Sequence, residues 1–515
     1  MRINILIGGK AGQGINKVSE IVSRVLIKLG YFTFNYRDYP SLVRGGHNFN
    51  VLSVSDERIG SIESKLDILV AMDDKTIELH KNELKKDGEV IGFEEFKDLG
   101  RNLNIAQSGA LIKILGIDNN VLIEEIKSHF KDEEIVSAAE KGFSSCEKKF
   151  DFKDLGREIK IMHGSRAVAL GAMNSDIDMY VAYPMTPATG VMHELAGKQE
   201  KGKFMVFQPE NEIAVVNAGL GASFAGAKTM IGSSGGGYDL MTEGLSFQGM
   251  SEIPLVVYLA SRPGPGTGVP TYSLQDDLEV AIYGGHGEFP RVVIAPGDPI
   301  ECIEKTNECF YLSEKFGCLS ILLSDKHLAE SEFSSDKKPN KIIDVKVERK
   351  VPGEGVVKAS SYEHDEDWNT VEDAETTKIM ADKRMKRYED IRKECGKFEM
   401  IKVYGNPNAK NLVIGWGSTK TVILDAIDAI DGSIKNSKGD WKFLQVLYVK
   451  PLSPQIEEEI KKAGKVILVE QNLTGQLGRL IREKTGIKIE NRILKYDSRP
   501  FCSDELKEEI LKSLK

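Results

Sequence analysis

The sequence predicts an α/β protein of several domains built on mostly parallel sheets, and two observations carry that expectation. Apolar runs of strand length alternate with segments of helical periodicity along most of the chain, the pattern of buried parallel strands covered by helices on both faces. The 515 residues also exceed what one hydrophobic core usually supports; at roughly 150 residues per domain they make about three domains.

The elements follow in order. Ile3 to Ile7 reads as a first strand, Gly8-Gly9-Lys10-Ala11-Gly12-Gln13-Gly14 as a loop, and Ile15, Val18, Ile21, Val22, Val25, Leu26 and Leu29 as the buried stripe of a helix closed by Gly30. This opens a domain over residues 1–160. A second α/β domain over 161–330 has strands at Met179 to Tyr183, Leu255 to Leu259 and Val292 to Ile294. Residues 331–400 are charge-dense and poor in apolar residues, so they are expected to form a wrapping linker with one amphipathic helix near Thr376 to Ile391. A third α/β domain over 401–515 places buried strands at Leu412 to Ile414, Phe443 to Val449 and Val466 to Val469.

Composition excludes several classes. A formal charge of -9 argues against a nucleic-acid partner, because neutralising phosphates needs a basic surface. The longest apolar runs, such as Ile253 to Ala260, are too short to span a bilayer, and the start reads as a strand and not as a signal peptide, so a cytoplasmic protein is expected. The six cysteines form no Cys-x-x-Cys pair, which predicts reduced thiols, no metal site, and no iron-sulfur cluster held by this chain.

Four segments bear on chemistry. Tyr183-Pro184-Met185-Thr186-Pro187 is a proline-braced turn at a strand's carboxyl end, where α/β sheets place ligands; Thr186 before Pro187 also suits a helix N-cap. Gln208-Pro209-Glu210-Asn211-Glu212 precedes a helix rich in small residues, with Glu210 expected at its start, though both acids would also suit a helix dipole. Gly232-Ser233-Ser234-Gly235-Gly236-Gly237 is a backbone-rich loop that is either a ligand cradle or a plain turn before a helix from Tyr238. The loop from Arg262 through Pro270 and Thr271 carries an arginine able to grip a carboxylate with two charge-assisted bonds. His286 attracts notice as an acid or base, but a structural histidine is the commoner case.

In this order the four segments resemble the α subunit of the 2-oxoacid:ferredoxin oxidoreductases, a likeness that extends over nearly the whole chain. Met185 stands where the family's turn has isoleucine, and Gly236 where its glycine loop has proline. The resemblance implies a thiamine-diphosphate-dependent enzyme in which Pro184, Glu210, Ser234 and Gly235 line the cofactor, Glu210 activates it, and Thr186, Arg262 and Thr271 meet the 2-oxoacid. It further implies that the second and third domains are transketolase-like, with Gly415-Trp416-Gly417-Ser418 and Glu470-Gln471-Asn472 as structural or interfacial residues. The first domain resembles the family's γ subunit in Gly12-Gln13-Gly14 and Arg44-Gly45-Gly46, so the chain looks like a γ-α fusion. Coenzyme A is the implied co-substrate; Arg44 is a candidate contact, though an arginine structural to its turn is the more ordinary role.

The chain lacks the Gly-Asp-Gly segment with a following asparagine by which thiamine enzymes hold magnesium and the diphosphate; Gly297-Asp298-Pro299 and Gly439-Asp440-Trp441 do not fit. The resemblance therefore implies a β subunit carrying Mg2+ and an iron-sulfur cluster, ferredoxin as electron acceptor, and a heterotetramer with two copies of each chain, with room for a small ferredoxin-like subunit. 2-Oxoglutarate is the first choice of substrate, ahead of pyruvate and branched-chain 2-oxoacids. Two rivals stand beside this reading. A nicotinamide dehydrogenase would use the first glycine loop with Asp38 on the ribose, although Gly9, Gly12 and Gly14 do not match Gly-x-Gly-x-x-Gly. A non-catalytic scaffold would not need Thr186, Glu210, Arg262 and Thr271 together.

Overall fold

The computed structural model describes residues 1–42 and 45–513, and the chain divides into two compact units. The first comprises Met1–Met162, Ser331–Lys337 and Phe501–Leu506; the second comprises His163–Glu330, Lys338–Pro500 and Lys507–Lys515. Among the described residues no helix is long and apolar enough to cross a membrane.

The first unit is built on a sheet of seven strands. In chain order they are β1 (Arg2–Gly9), β2 (Phe32–Asp38), β3 (Asn48–Ser55), β4 (Leu66–Ala71), β5 (Leu84–Ile91) and β6 (Lys160–His163), and from far along the chain β13 (Glu332–Ser335). Their spatial order is β5-β4-β1-β3-β2-β13-β6. The predicted first strand and the helix Ile15–Lys28 are present, with Gly14 in the left-handed region at the helix start, φ 91°. β3 lies between β1 and β2 and pairs antiparallel with both. A dinucleotide-binding βαβ unit needs its first two strands to be parallel neighbours. The inserted β3 therefore removes the nicotinamide reading, and Asp38 is engaged by the Tyr36 hydroxyl at 3.0 Å. The linker expected from residue 331 begins with a strand of this sheet, lying between β2 and β6, and Phe333 of β13 pairs with Phe34 of β2. Arg44 lies outside the described residues.

The second unit holds two sheets over a common core. The larger contains β7 (Met179–Ala182), β8 (Met205–Phe207), β9 (Thr229–Ser233), β10 (Leu255–Ser261), β11 (Arg291–Ile294) and β12 (Leu319–Asp325). The smaller contains β14 (Ile401–Gly405), β15 (Asn411–Trp416), β16 (Trp441–Val446), β18 (Lys465–Glu470) and β19 (Asn491–Leu494). The expected single strand Phe443 to Val449 is split after Val446. Its second half, β17 (Tyr448–Lys450), joins the larger sheet antiparallel to β11, giving the order β17-β11-β12-β10-β9-β7-β8. The crossing strand ties the sheets, and one hydrophobic cluster runs from Val257, Val293 and Ile321 to Leu412, Ile414 and Leu444. The helix predicted near 376–391 spans Ala374–Cys395, capped by Asp373, which accepts from the Thr376 amide at 2.8 Å.

Apart from β17 the larger sheet is parallel, from β8 through β11. All its connections therefore place their strand-to-helix turns at one edge. Parallel alignment alone brings together the segments after β7, β8, β9 and β10, and those are the four that the sequence analysis singled out.

Candidate active site

The turn after β7 and the loop after β10 meet directly. Arg262 Nη1 donates to the Thr186 carbonyl at 2.8 Å, joining residues 76 apart in the chain. Thr186 is not a helix N-cap, because the following helix, Thr189–Ala196, starts later and has Ala188 at its cap. Ser233, at the end of β9, donates its hydroxyl to Met185 Sδ at 3.9 Å, which draws the third turn against the first. Tyr183 and Pro184 lie exposed at the edge of this arrangement.

Glu210 is not where it was expected. The helix after β8 begins at Glu212, and Asn211 caps it by accepting from the Ala214 amide at 2.9 Å. A cap residue marks where the chain turns into its helix, so the residues on either side of it face different surroundings. Glu210 is exposed, whereas Glu212 is 3% exposed. Glu212 Oε1 is buried without a hydrogen-bond partner, and a Cβ on Gly237 would approach it to 2.5 Å. The acid buried beside the glycine run is Glu212, two residues along from Glu210.

The glycine run is also more ordered than a loop. Gly235–Gly237 form the first turn of a helix that continues to Ser251, with Ser234 at its cap. The small residues are required by neighbours: side chains of Asp277, at Gly235, and of Glu212 and Ser233, at Gly237, occupy the space a Cβ would need. Gly236 is different, since a Cβ there meets only the Gly266 carbonyl at 3.7 Å, so this position has room for the family's proline. Ser234 Oγ is buried and unpartnered.

Thr271 lies in the loop that begins at Arg262, is 6% exposed, and has its hydroxyl buried without a partner. That loop is folded on itself: the Val269 amide donates to the Pro263 carbonyl at 3.1 Å, and the Gly264 amide donates to Asp276 at 3.1 Å. Gly268 makes the reversal with φ 54°, at a point where a side chain would strike the Pro263 carbonyl. His286 is on an exposed loop, held by its backbone amide donating to Ser246 Oγ at 2.9 Å.

Asp277, a residue the sequence did not single out, packs its carboxyl against Gly235 of the glycine run. It follows Gln275 and Asp276 in a stretch with no motif of its own, and only the fold brings its carboxyl against Gly235. Burial pushes its pKa up to about 7, with Asp276 and Asp239 adding to the rise and the Ser261 hydroxyl and Arg262 opposing it. Burial likewise depresses Arg262, and the charges opposing that are Asp277 and Glu212.

Thiamine diphosphate can be tested against these residues. Its aminopyrimidine is a flat polar ring that needs hydrogen-bonding groups in a dry site, and an unpaired buried polar atom costs free energy unless a ligand satisfies it. Glu212 Oε1, Ser234 Oγ and Thr271 Oγ1 are three such atoms at one sheet edge. The residues present fit the pyrimidine half of the cofactor. Among the described residues no cluster of three or more metal-ligating side chains forms.

Residues 170–397 match the thiamine-diphosphate-binding family of pyruvate flavodoxin/ferredoxin oxidoreductases, and residues 4–145 match the family described as pyruvate ferredoxin/flavodoxin oxidoreductase. The chain is 30% identical to the 2-oxoacid:ferredoxin oxidoreductase subunit alpha of a Sulfolobus species, covering 100% of this chain and 97% of that one. It is also 30% identical to the 2-oxoglutarate synthase subunit KorA of Methanocaldococcus jannaschii, over 62% of this chain and 90% of that one. In structure it is similar to a 2-oxoglutarate:ferredoxin oxidoreductase from Magnetococcus marinus solved with 2-oxoglutarate, coenzyme A and succinyl-CoA bound. The TM-score is 0.90 with 25% identity over 100% of both chains.

Proposed function

Because the chain belongs to the 2-oxoacid:ferredoxin oxidoreductase family, among its α subunits, we propose that it supplies the aminopyrimidine and substrate half of an active site completed by a β subunit. The reaction is the oxidative decarboxylation of a 2-oxoacid with coenzyme A, giving acyl-CoA and carbon dioxide and passing electrons to ferredoxin. 2-Oxoglutarate is the proposed substrate; relatives named 2-oxoglutarate synthase and the Magnetococcus enzyme with that substrate bound support the choice.

The observation that carries this reading is the presence, on turns at the same sheet edge, of a guanidinium and a buried carboxyl: Arg262, which donates to the Thr186 carbonyl, and Glu212, whose Oε1 has no hydrogen-bond partner. When bound, thiamine diphosphate supplies a carbanion nucleophile and an electron sink. Glu212 would hydrogen-bond the pyrimidine nitrogen and keep a proton there, promoting the exocyclic amine as local base. Arg262 would hold the substrate carboxylate through charge-assisted bonds until it leaves, with Thr186 and Thr271 beside it. Ser234, Gly235 and Pro184 would flank the cofactor.

We read residues 1–160 as a γ-like domain, 161–330 as the pyrimidine-binding domain, 331–400 as linker and 401–515 as the third, transketolase-like domain. Mg2+ and an iron-sulfur cluster would sit on the β subunit, in a cytoplasmic heterotetramer with two copies of each chain. The test is to co-express the chain with its β subunit and assay the purified complex with a panel of 2-oxoacids, coenzyme A and a low-potential dye. Coenzyme-A-dependent reduction, greatest with 2-oxoglutarate, is expected; a complex inert to every 2-oxoacid would overturn the reading.

A further inference from the structure

Gly237 is a glycine that its own backbone does not require. It lies in the first turn of the helix Gly235–Ser251, and its φ is not positive. Inside a helix glycine is less favourable than alanine, because it loses more conformational freedom on folding. What excludes a side chain here is contact: a Cβ would come within 2.1 Å of Ser233 Oγ, 2.5 Å of Glu212 Oε1 and 2.8 Å of Glu212 Cγ. Two turns along the same face, Gly244 meets Val216, whose Cγ1 a Cβ would approach to 2.7 Å. Glu212 and Val216 are themselves one turn apart on the helix Glu212–Phe224. Close approach at two points fixes the spacing of the helices at Gly237. Glu212 is held from its own side as well, as the first residue of a helix that Asn211 caps.

Resting on the reading that Glu212 promotes the cofactor's amine as local base, we propose that Gly237 is a positioning residue: by carrying no side chain it leaves the seat in which the Glu212 carboxyl lies. Among the described residues no donor reaches Glu212 Oε1, so packing and not a hydrogen bond orients that oxygen. The Ser233 hydroxyl lines the same seat and donates to Met185 Sδ at 3.9 Å. Gly237→Ala would fill the space. Glu212 Oε1 is the far end of a flexible side chain and the Ser233 hydroxyl turns about one bond, so both would swing aside before the helices part. The carboxyl would then stand away from the pyrimidine nitrogen. A proton-transfer group has to lie within hydrogen-bond reach of the atom it serves, and a misplacement of about 1 Å costs roughly 10² in rate.

In the holoenzyme complex with the β subunit, Gly237→Ala should assemble and load cofactor, and lower kcat for 2-oxoglutarate by roughly 10². The KM values for 2-oxoglutarate and coenzyme A should stay within about threefold of wild type, and exchange of the thiazolium C2 proton, followed by NMR, should slow with kcat. A cycle with Glu212→Gln separates positioning from support of the fold. If Gly237 acts through the acid, Gly237→Ala has nothing further to remove once the acid is gone, and the double variant is as slow as Glu212→Gln alone. A structural role makes the two losses multiply. Should Gly237→Ala fail to assemble, Glu212→Ala combined with Gly237→Ala decides, since truncating the glutamate empties the seat: recovered assembly supports the proposal, and a double variant that still fails overturns it. Wild-type kcat in Gly237→Ala, losses that multiply, or a KM for the 2-oxoacid that rises as far as kcat falls would each overturn it too. Those outcomes leave the functional reading standing while Glu212→Gln is slow; wild-type turnover in Glu212→Gln overturns the role of Glu212 and this inference with it.

Discussion

Two acids separated by one residue have opposite fates here, and Asn211 decides between them. Its side chain takes the Ala214 amide, the helix starts at Glu212, and the first helical residue turns inward while Glu210 stays in water. Glu212→Gln should therefore leave the complex assembled and cofactor-loaded but slow turnover by roughly 10² to 10⁴, the worth of a positioned proton-transfer group. Exchange of the thiazolium C2 proton, followed by NMR, should slow with it. Glu210→Gln should stay near wild type, and the reverse pattern would return the activating role to Glu210. Arg262 is the residue proposed to hold the substrate carboxylate. Arg262→Ala should raise the KM for the 2-oxoacid well over tenfold, as loss of a desolvated charged contact costs about 2 to 5 kcal/mol. The KM for coenzyme A should change much less; equal effects would mark Arg262 as a support of the fold.

Elements of the second unit are joined by buried charge as well as by apolar packing. Lys420, in the first turn of the helix Thr419–Asp431, is buried and reaches Asp298 and Glu301 at the start of the helix Pro299–Phe316. Gln445 of β16 donates to Glu301 at 2.7 Å and completes the group. Burial alone would depress the lysine, but the two carboxylates hold it well above its ordinary pKa. Lys420→Met keeps most of the volume and takes the cation away from buried Glu301 and partly buried Asp298, so it should cost about 3–5 kcal/mol. Thermal unfolding of the complex should show a Tm lowered by several degrees, whereas an unchanged Tm would mean that water reaches the acids once the lysine is gone.

At the scale of the whole molecule, the sequence lacks the Gly-Asp-Gly segment with a following asparagine by which thiamine enzymes hold magnesium and the diphosphate. The chain purified alone should accordingly bind neither iron nor thiamine diphosphate tightly. With its β subunit it should yield a brown, cofactor-loaded heteromer. Iron and sulfide analysis with cofactor titration checks this, and stoichiometric iron and sulfide in the isolated chain would contradict it. The arrangement also explains why a non-catalytic scaffold is a poor description: buried, unpaired polar atoms at Glu212, Ser234 and Thr271 are costly to keep unless a ligand uses them.

Sequence alone determined the features that depend on neighbours in the chain. Alternating strand and helix periods marked the β1 start, the small-residue helix after Asn211 and the buried strands of the third sheet, because periodicity reports which face of an element is covered. The four segments could also be read as one site, since parallel βαβ connections bring successive strand ends to one edge whatever their sequence separation. What only the tertiary structure decided involves distant partners. The start of the supposed linker pairs with β2 some three hundred residues away, and the strand expected at Phe443 to Val449 breaks because Leu447 donates to the Met400 carbonyl and receives the Ala295 amide. Which of Glu210 and Glu212 is dry, and that Asp277 faces Gly235, rest on a cap and on a loop folding back. Neither leaves a periodic trace, because each positions a single side chain by contact with residues remote in the chain.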